Sequence, residues 1–377
     1  MQFSIERFEL LHALNTVKGV VKAKTTFPIL SHVLLVANGD GITAHGSNLD
    51  EMTSCSAGAD VTKHGGVCVP MFILHQAVQK LADGCKIDMK STKDVLHVEA
   101  GRTKFHLSVL PTKDFPRIDK GRNDYDFTTN SSTLCGVLTS VRAAQSTEET
   151  RPAIRGVNLS GQESLLKFVA INGAGAHTSK SEMSGKLPQN VTITTETVSE
   201  IIRLCKSIGG DVHVVGNEAV ITLNFENISF SSKLIDGDFP DYHQFIKDSH
   251  DTKINVDRMT LIGAVDRVST FAQDGDNLLR FDFDGDNLTI SNEKEYEHGG
   301  NETLVIDGGG NFSFGFNFRR ILDLLNATEN RDVVLSFKAG DEQNNLCHVT
   351  FSDDKSFFGF VVNYKISERK QQVSEAA

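Results

Sequence analysis

The sequence predicts an α+β protein made of three tandem copies of one unit, each with two helices on antiparallel strands. Three observations predict it. A strand-turn-exit ending occurs twice, with Ser108, Leu110 and Phe115 recurring 124 positions later as Ser232, Leu234 and Phe239, each Phe followed by Pro (Pro116, Pro240). A strand-helix opening occurs three times in register: Phe3 before Leu10, Leu14 and Val17; Phe127 before Leu134, Leu138 and Val141; Ile254 before Leu261, Val265 and Val268. Spacings of four and then three put each trio on one helical face. A second helix follows in every copy, over 71–82, 196–207 and 317–327, with apolar stripes at Val78 and Leu81, Ile202 and Cys205, and Ile321, Leu322 and Leu325.

In chain order, the first helix of each unit spans 6–18, 131–145 and 257–272. Hairpin turns are expected at Asn38-Gly39-Asp40-Gly41, Gly216-Asn217 and Asp284-Gly285-Asp286-Asn287. Near the second ending, alternation puts Phe230, Ser232 and Leu234 on one strand face. Gly237 supplies the free φ of a tight turn, and Pro240 keeps Phe239 extended so that the chain leaves as a linker. Polar, turn-prone boundaries near Gly121-Arg122 and 247–250 divide the chain into 1–122, 123–250 and 251–367, with a flexible tail at 368–377.

At 377 residues the chain suits two or three domains. No run of eighteen apolar residues marks a membrane helix. The N-terminus reads as strand entering helix, not as a signal peptide. Cys55, Cys68, Cys85, Cys135, Cys205 and Cys347 form no Cys-x-x-Cys pair, which fits free thiols in a reducing cytoplasm. The net charge of −11 opposes nucleic-acid binding unless charge is segregated by surface. It is segregated by element: the six helical segments hold ten basic and seven acidic residues, a surplus of three that leaves the remainder at −14. One helical face shared by three repeats and turned to a polyanion fits that division.

The stretch Phe230-Ser231-Ser232-Lys233-Leu234-Ile235-Asp236-Gly237-Asp238-Phe239-Pro240-Asp241-Tyr242 resembles the end of the middle domain of the bacterial sliding clamp family, the β subunit of DNA polymerase III. Phe27-Pro28-Ile29-Leu30, Gly101-Arg102-Thr103-Lys104-Phe105, and Gly315-Phe316-Asn317 leading to Leu322-Asp323-Leu324-Leu325-Asn326-Ala327 carry the resemblance into the other domains, over residues 1 to 367. It implies two chains closed head to tail into a six-domain ring, with helices lining the hole and a sheet outside. The ring would encircle duplex DNA without sequence preference. Through a peptide cleft it would tether the DNA polymerase III α subunit, the clamp loader and repair polymerases. No catalysis, cofactor or metal is implied. A ring meets phosphates, not base edges, so a small helical surplus of positive charge is adequate for sliding.

Lys24 matches a basic DNA-contacting loop residue of the family, and helix position adds Arg142, Arg203, Lys206, Arg258, Arg267, Arg319 and Arg320 as candidates. Phe105 and Leu107 match the first-domain edge strand of the subunit contact, and Phe271 its apolar partner on the third domain. The cleft maps to Ile154, Ile171, Gly173, Ala176, Pro240, Phe245, Val361, Val362, Asn363 and Tyr364.

The chain departs from the family at that cleft. The usual Thr-Asp-Gly-His-Arg-Leu is Ile171-Asn172-Gly173-Ala174-Gly175-Ala176, and the usual Met-Pro-Met-Arg is Asn363-Tyr364-Lys365-Ile366. Phe245 replaces a smaller aliphatic residue. Glu148, Pro152 and Ala153 stand where the family often has an amide and aromatics, and Glu148 and Glu149 would repel phosphate if they faced it. These changes predict a cleft that takes a different peptide motif. They also keep a second reading open, a clamp-fold interaction protein of a phage or mobile element that binds replication partners without normal clamp activity. Asp282, Asp284, Asp286 and Glu293 fall at calcium-loop positions, but Asn287 occupies the glycine position and the flanking alternation favours a hairpin. Gly308-Gly309-Gly310 leads into a strand and so is no phosphate loop, and no Gly-x-Ser-x-Gly elbow or Walker sequence occurs.

Overall fold

The computed structural model describes residues 1–246, 250, 252–272, 277–292, 299–338 and 346–364. Glu293, Lys365, Ile366, the boundary at 247–249 and the tail at 368–377 lie outside the described residues.

The repeat is visible in the order of elements. Strands Gln2–Glu6, Tyr125–Asn130 and Thr252–Asp257 each run straight into a helix: α1 (Arg7–Val17), then α3 (Ser131–Arg142) and α6 (Arg258–Ser269). The second helices are α2 (Met71–Gln79), α4 (Thr195–Ile208) and α7 (Phe318–Leu325), and a short α5 (His243–Ile246) follows the second unit's Phe-Pro exit. In every copy the opening strand pairs antiparallel with the strand after the second helix, with Gln2 opposite Lys90, Tyr125 opposite Gly216 and Thr252 opposite Phe337. All nine residues of the predicted helical trios are buried, none above 4% exposed. Burial of these stripes, more than helix propensity, holds helices this short in place.

Five of the six repeat helices are shorter than the sequence pattern predicts, and α4 is longer by one residue at each end. α2 ends at Gln79, leaving Leu81 half-buried beyond it, and α3 ends at Arg142. Asp257 and Asn317 are caps, not helical residues: the Asp257 carboxylate accepts the Thr260 N–H at 2.8 Å, and the Asn317 side chain accepts from Arg319 and Arg320. With the observed bounds the six long helices carry eight basic and five acidic residues, so the surplus of three stands.

The chain divides into two compact units. The first comprises residues 1–135, 159–166 and 182–236. Its five-stranded sheet runs Asp60–Lys63, Gln2–Glu6, Lys86–Ser91, Val95–Ala100, Thr103–Ser108. Its nine-stranded sheet joins strands of the first and second repeats where Ile228–Lys233 pairs with Glu51–Gly58, Phe230 opposite Thr53. Phe230 and Ser232 are buried as alternation predicts. Ser231 on the opposite face is buried as well, and the hydroxyls are paired, Ser231 with Thr222 and Ser232 with Thr197.

The second unit comprises residues 136–158, 167–181 and 237–377. One of its sheets orders Gly175–Glu182, Asp354–Val362, Leu346–Phe351, Asp332–Phe337, Thr252–Asp257; the other orders Asn301–Val305, Asn287–Ser291, Leu278–Asp284, Asn311–Asn317. The Asp284–Asn287 segment is a two-residue hairpin turn with Gly285 at φ +54°, as the flanking alternation predicts. Gly237, at φ +113°, occupies the positive-φ region expected of it.

None of the six cysteines is in a disulfide among the described residues; four are buried, and Cys85 and Cys135 are half-buried. Burial pushes the Cys55 thiol up to about 11 and the Cys68 thiol up to about 12, which keeps both protonated and unreactive.

Candidate nucleic-acid interface and peptide cleft

The structure sorts the eight predicted phosphate-contacting cations by what already holds them. Lys24, Arg142, Lys206 and Arg319 are exposed and form no ion pair among the described residues. Arg142 and Lys206 sit in the last turns of α3 and α4, where a cation also complements the helix dipole. Arg319 opens α7 with its guanidinium 5.9 Å from the centre of the Phe318 ring. Arg320 is half-buried beside Asp323, whose carboxyl burial pushes up and Arg320 pulls back down.

The other three are already engaged. Arg203 grips Glu200 with two bonds of 2.7 and 2.6 Å and donates to the Thr16 carbonyl at 2.7 Å. Glu200 is 7% exposed, so Arg203 neutralises a buried acid and ties α4 to the end of α1. Burial, and then Glu200 among other charges, pushes the nearby Glu51 carboxyl up. Arg267 is bound by Glu302 through two bonds, and Arg258 donates to the Leu325 carbonyl at 3.1 Å. Sequence position alone could not separate the two groups, because the partner acids come from i+3 geometry or from another strand. Glu148 is itself engaged, by Thr150 at 3.0 Å and by Arg151 at 3.7 Å.

All ten predicted cleft residues fall in the second unit. Gly173, at φ +80°, makes the turn that Asn172 closes by accepting the Ala174 N–H. The register then sets Gly175 opposite Val361 and Ala176 opposite Phe360, with the Val362 N–H donating to the Ala174 carbonyl at 2.9 Å. Tyr364 pairs with Gly315 through two bonds of 2.8 Å. The Phe245 ring packs on Phe360 at 5.5 Å. The floor is less open than the sequence implies: Ile154, Ala176, Val361 and Asn363 are buried, and Ile171 and Val362 half-buried. The exposed members are Gly173, Pro240, Phe245 and Tyr364, so the accessible apolar surface is chiefly aromatic.

Three family models match the chain in order: DNA polymerase III beta subunit, N-terminal domain over residues 1–119, central domain over 128–241 and C-terminal domain over 244–350. The chain belongs to the DNA polymerase III beta subunit family. The beta sliding clamp of Caulobacter vibrioides is 30% identical over 334 residues, 86% of this chain and 90% of that one. That of Pseudomonas aeruginosa is 29% identical over 365 residues, 95% of this chain and 98% of that one. Among solved structures, the Pseudomonas aeruginosa DNA polymerase III subunit beta superposes with a TM-score of 0.92 at 27% identity, covering 97% of this chain and all of that one. A Bartonella birtlesii sliding clamp bound to griselimycin gives 0.89 at 26% identity, with the same coverage.

As a beta sliding clamp relative, the chain has sheet edges of particular interest. Among the described residues, Thr103–Ser108 pairs within its sheet with Val95–Ala100 alone, and Asn301–Val305 with Asn287–Ser291 alone. Phe105 is half-buried, and Leu107, at 9% exposed, already packs inside its own unit. Phe271 is 44% exposed. Its ring lies so close to Gly300 that a Cβ there would come within 2.7 Å, and its carbonyl accepts from Asn292 at 2.6 Å. The edge strand Asn301–Val305 and its Glu302 were missed in the sequence. The available signal was the strand-forming Thr303-Leu304-Val305 at the end of the run.

Proposed function

We propose that this chain is a non-catalytic sliding clamp. Two copies join head to tail, encircle duplex DNA in the cytoplasm, and hold the replicative polymerase and other partners on it. Three domains, 1–122, 123–250 and 251–367, serve as the ring segments. The observation that carries the reading is the in-order family match from residue 1 to residue 350 on a chain whose acidity spares its helices. The subunit contact is assigned to the two bare edges, Thr103–Ser108 of one copy against Asn301–Val305 of the other. Arg102 precedes the first edge, Lys104 lies on it with Glu99 at 3.0 Å, and Glu302 lies on the second. Lys24, Arg142, Lys206 and Arg319 supply exchangeable phosphate contacts.

The cleft around Phe245 and Tyr364 takes the partner peptides, among them those of the DNA polymerase III α subunit, the clamp loader and repair polymerases. Its altered rim favours a motif different from the common bacterial one. A Caulobacter crescentus clamp structure holds polyethylene glycol at a putative beta-motif tethering region, and sequence identity to it is 27%. That likeness supports the cleft assignment.

Two measurements test the proposal. Light scattering across a dilution series is expected to give the mass of a dimer down to nanomolar concentration. After loading, the protein is expected to stay on nicked circular DNA and to run off once the circle is cut. A monomer at micromolar concentration with no retention on the circle would overturn the clamp reading and favour an interaction protein of the same fold.

A further inference from the structure

The described part of α5 is four residues, and tertiary contacts place its Phe245. Those contacts come from one pair of strands. His348, in Leu346–Phe351, stands opposite Phe360 of Asp354–Val362 and is 6% exposed. Its Nε2 donates to the Phe245 carbonyl at 2.9 Å. The His348 ring is packed against His250 at 3.5 Å and edge-on to Phe358 at 4.9 Å. Phe360 in turn carries the Phe245 ring at 5.5 Å. The backbone and the ring of Phe245 are therefore held by two residues that face each other in one sheet.

The same spot shows an exchange of bulk. Ala176, opposite Phe360, stands where the resemblance expects leucine, and Phe245 stands where it expects a smaller aliphatic side chain. Apolar volume removed from one wall is returned from the other, the kind of swap that cores and pockets tolerate best. The returned volume is useful only if the ring is held, and the His348 bond holds the backbone that carries it while Phe360 meets the ring.

We propose that His348 is a positioning residue for partner recognition: by holding the Phe245 carbonyl, it sets the Phe245 ring against Phe360 as an aromatic wall for an apolar side chain of the bound peptide. The assignment rests on the cleft reading given under Proposed function. A ring fixed before binding saves the entropy of ordering it on contact, and a fixed aromatic face discriminates among apolar anchors by shape.

A double-mutant cycle tests it, using the full-length protein and a fluorescein-labelled peptide taken as the tightest binder to the parent from a display of the common bacterial clamp-binding motif with its apolar positions varied. His348→Gln keeps an N–H donor for the carbonyl, whereas His348→Leu does not. His348→Leu and Phe245→Val are each expected to weaken peptide binding by about 5- to 10-fold. His348→Gln should stay within about twofold of the parent, and the double variant should bind no more weakly than Phe245→Val alone. Mass is expected to be unchanged in all of them. If His348→Leu does not fold, His348→Asn, too short to reach the carbonyl, replaces it in the cycle. Additive losses, or a glutamine variant as weak as the leucine one, would overturn the assignment. A parent protein that binds none of the displayed peptides would overturn the cleft reading itself, and this is seen before any variant is made.

Discussion

Arg267 of α6 and Glu302 of the edge strand Asn301–Val305 are joined by two hydrogen bonds, Nε to Oε2 at 2.9 Å and Nη2 to Oε1 at 2.6 Å. The pair is largely solvent-exposed on the arginine side, so its contribution to stability is small. Its consequence is positional: it holds an acid on the edge assigned to the subunit contact and removes a cation from the set offered to DNA.

Charge reversal separates these roles. Glu302→Lys is expected to weaken dimerisation by about tenfold or more, because it places a lysine against Arg102 and Lys104 of the partner copy. The melting temperature of the monomer should hardly move. Arg267→Gln should leave DNA affinity nearly unchanged. Sedimentation velocity and a DNA titration at fixed salt measure the two effects, and an unchanged dimer constant for Glu302→Lys would refute the edge assignment.

Gly300 carries a second prediction about the same contact. A methyl group at this position would lie 2.7 Å from the Phe271 ring, well inside van der Waals contact. Gly300→Ala is expected to displace the exposed ring and weaken the dimer, and Phe271→Ala should weaken it by a similar factor. Combining the two should add little, because both act through one ring. Equilibrium sedimentation of the single and double variants reads this directly.

The cations on the helices and the Lys24 loop divide by the same logic. Replacing Arg142, Lys206, Lys24 or Arg319 by glutamine should each lower the salt dependence of DNA binding by roughly one unit of slope, with no loss of fold. Arg203→Gln should do the reverse. It leaves Glu200 buried without its guanidinium, at a cost of about 1–3 kcal/mol in stability, while the salt slope stays put. Denaturant melts beside salt titrations distinguish the two classes.

Acid should destabilise the second unit through His177. The ring is buried, its Nδ1 donates to the Ser140 carbonyl at 3.1 Å, and Phe357 packs edge-on at 5.7 Å. Burial pushes it down from 6.5 to about 4, against the smaller opposing effect of the Ser140 bond. Between those values the unfolded chain binds the proton and the folded chain does not, so stability falls as pH drops through this window and levels off above it. His177→Gln should flatten the slope. His45, also pushed down to about 4, lies in the first unit and gives that unit a slope of its own. Melts from pH 4 to pH 8 test this, and equal slopes for parent and variant would exclude His177 as the source.

Much of the fold was legible because it rests on local periodicity. Leu10, Leu14 and Val17 and their two later copies carry a 3.6-residue period, and burial of that stripe decides the helix wherever the repeat is placed. The Asp284–Asn287 hairpin, the Asn172-Gly173 turn and the Phe-Pro exits are set by φ preferences of single residues. Helix ends were less legible, since Asp257 and Asn317 fit the pattern of a helix but bond as caps.

By itself, then, the sequence determined the three-fold repeat, the helical stripes and a charge surplus on the helices. Only the tertiary structure decided which of those charges are available. Arg203 and Arg142 look alike in sequence, yet one is spent on buried Glu200 and the other faces solvent. It likewise decided that Ala176 and Phe245, 69 positions apart, meet at Phe360, and that His348 holds Phe245 in place. Periodicity is a property of neighbours along the chain. Ion pairing, burial and the hold on a side chain are set by distances across it, which exist only once the strands have taken their register.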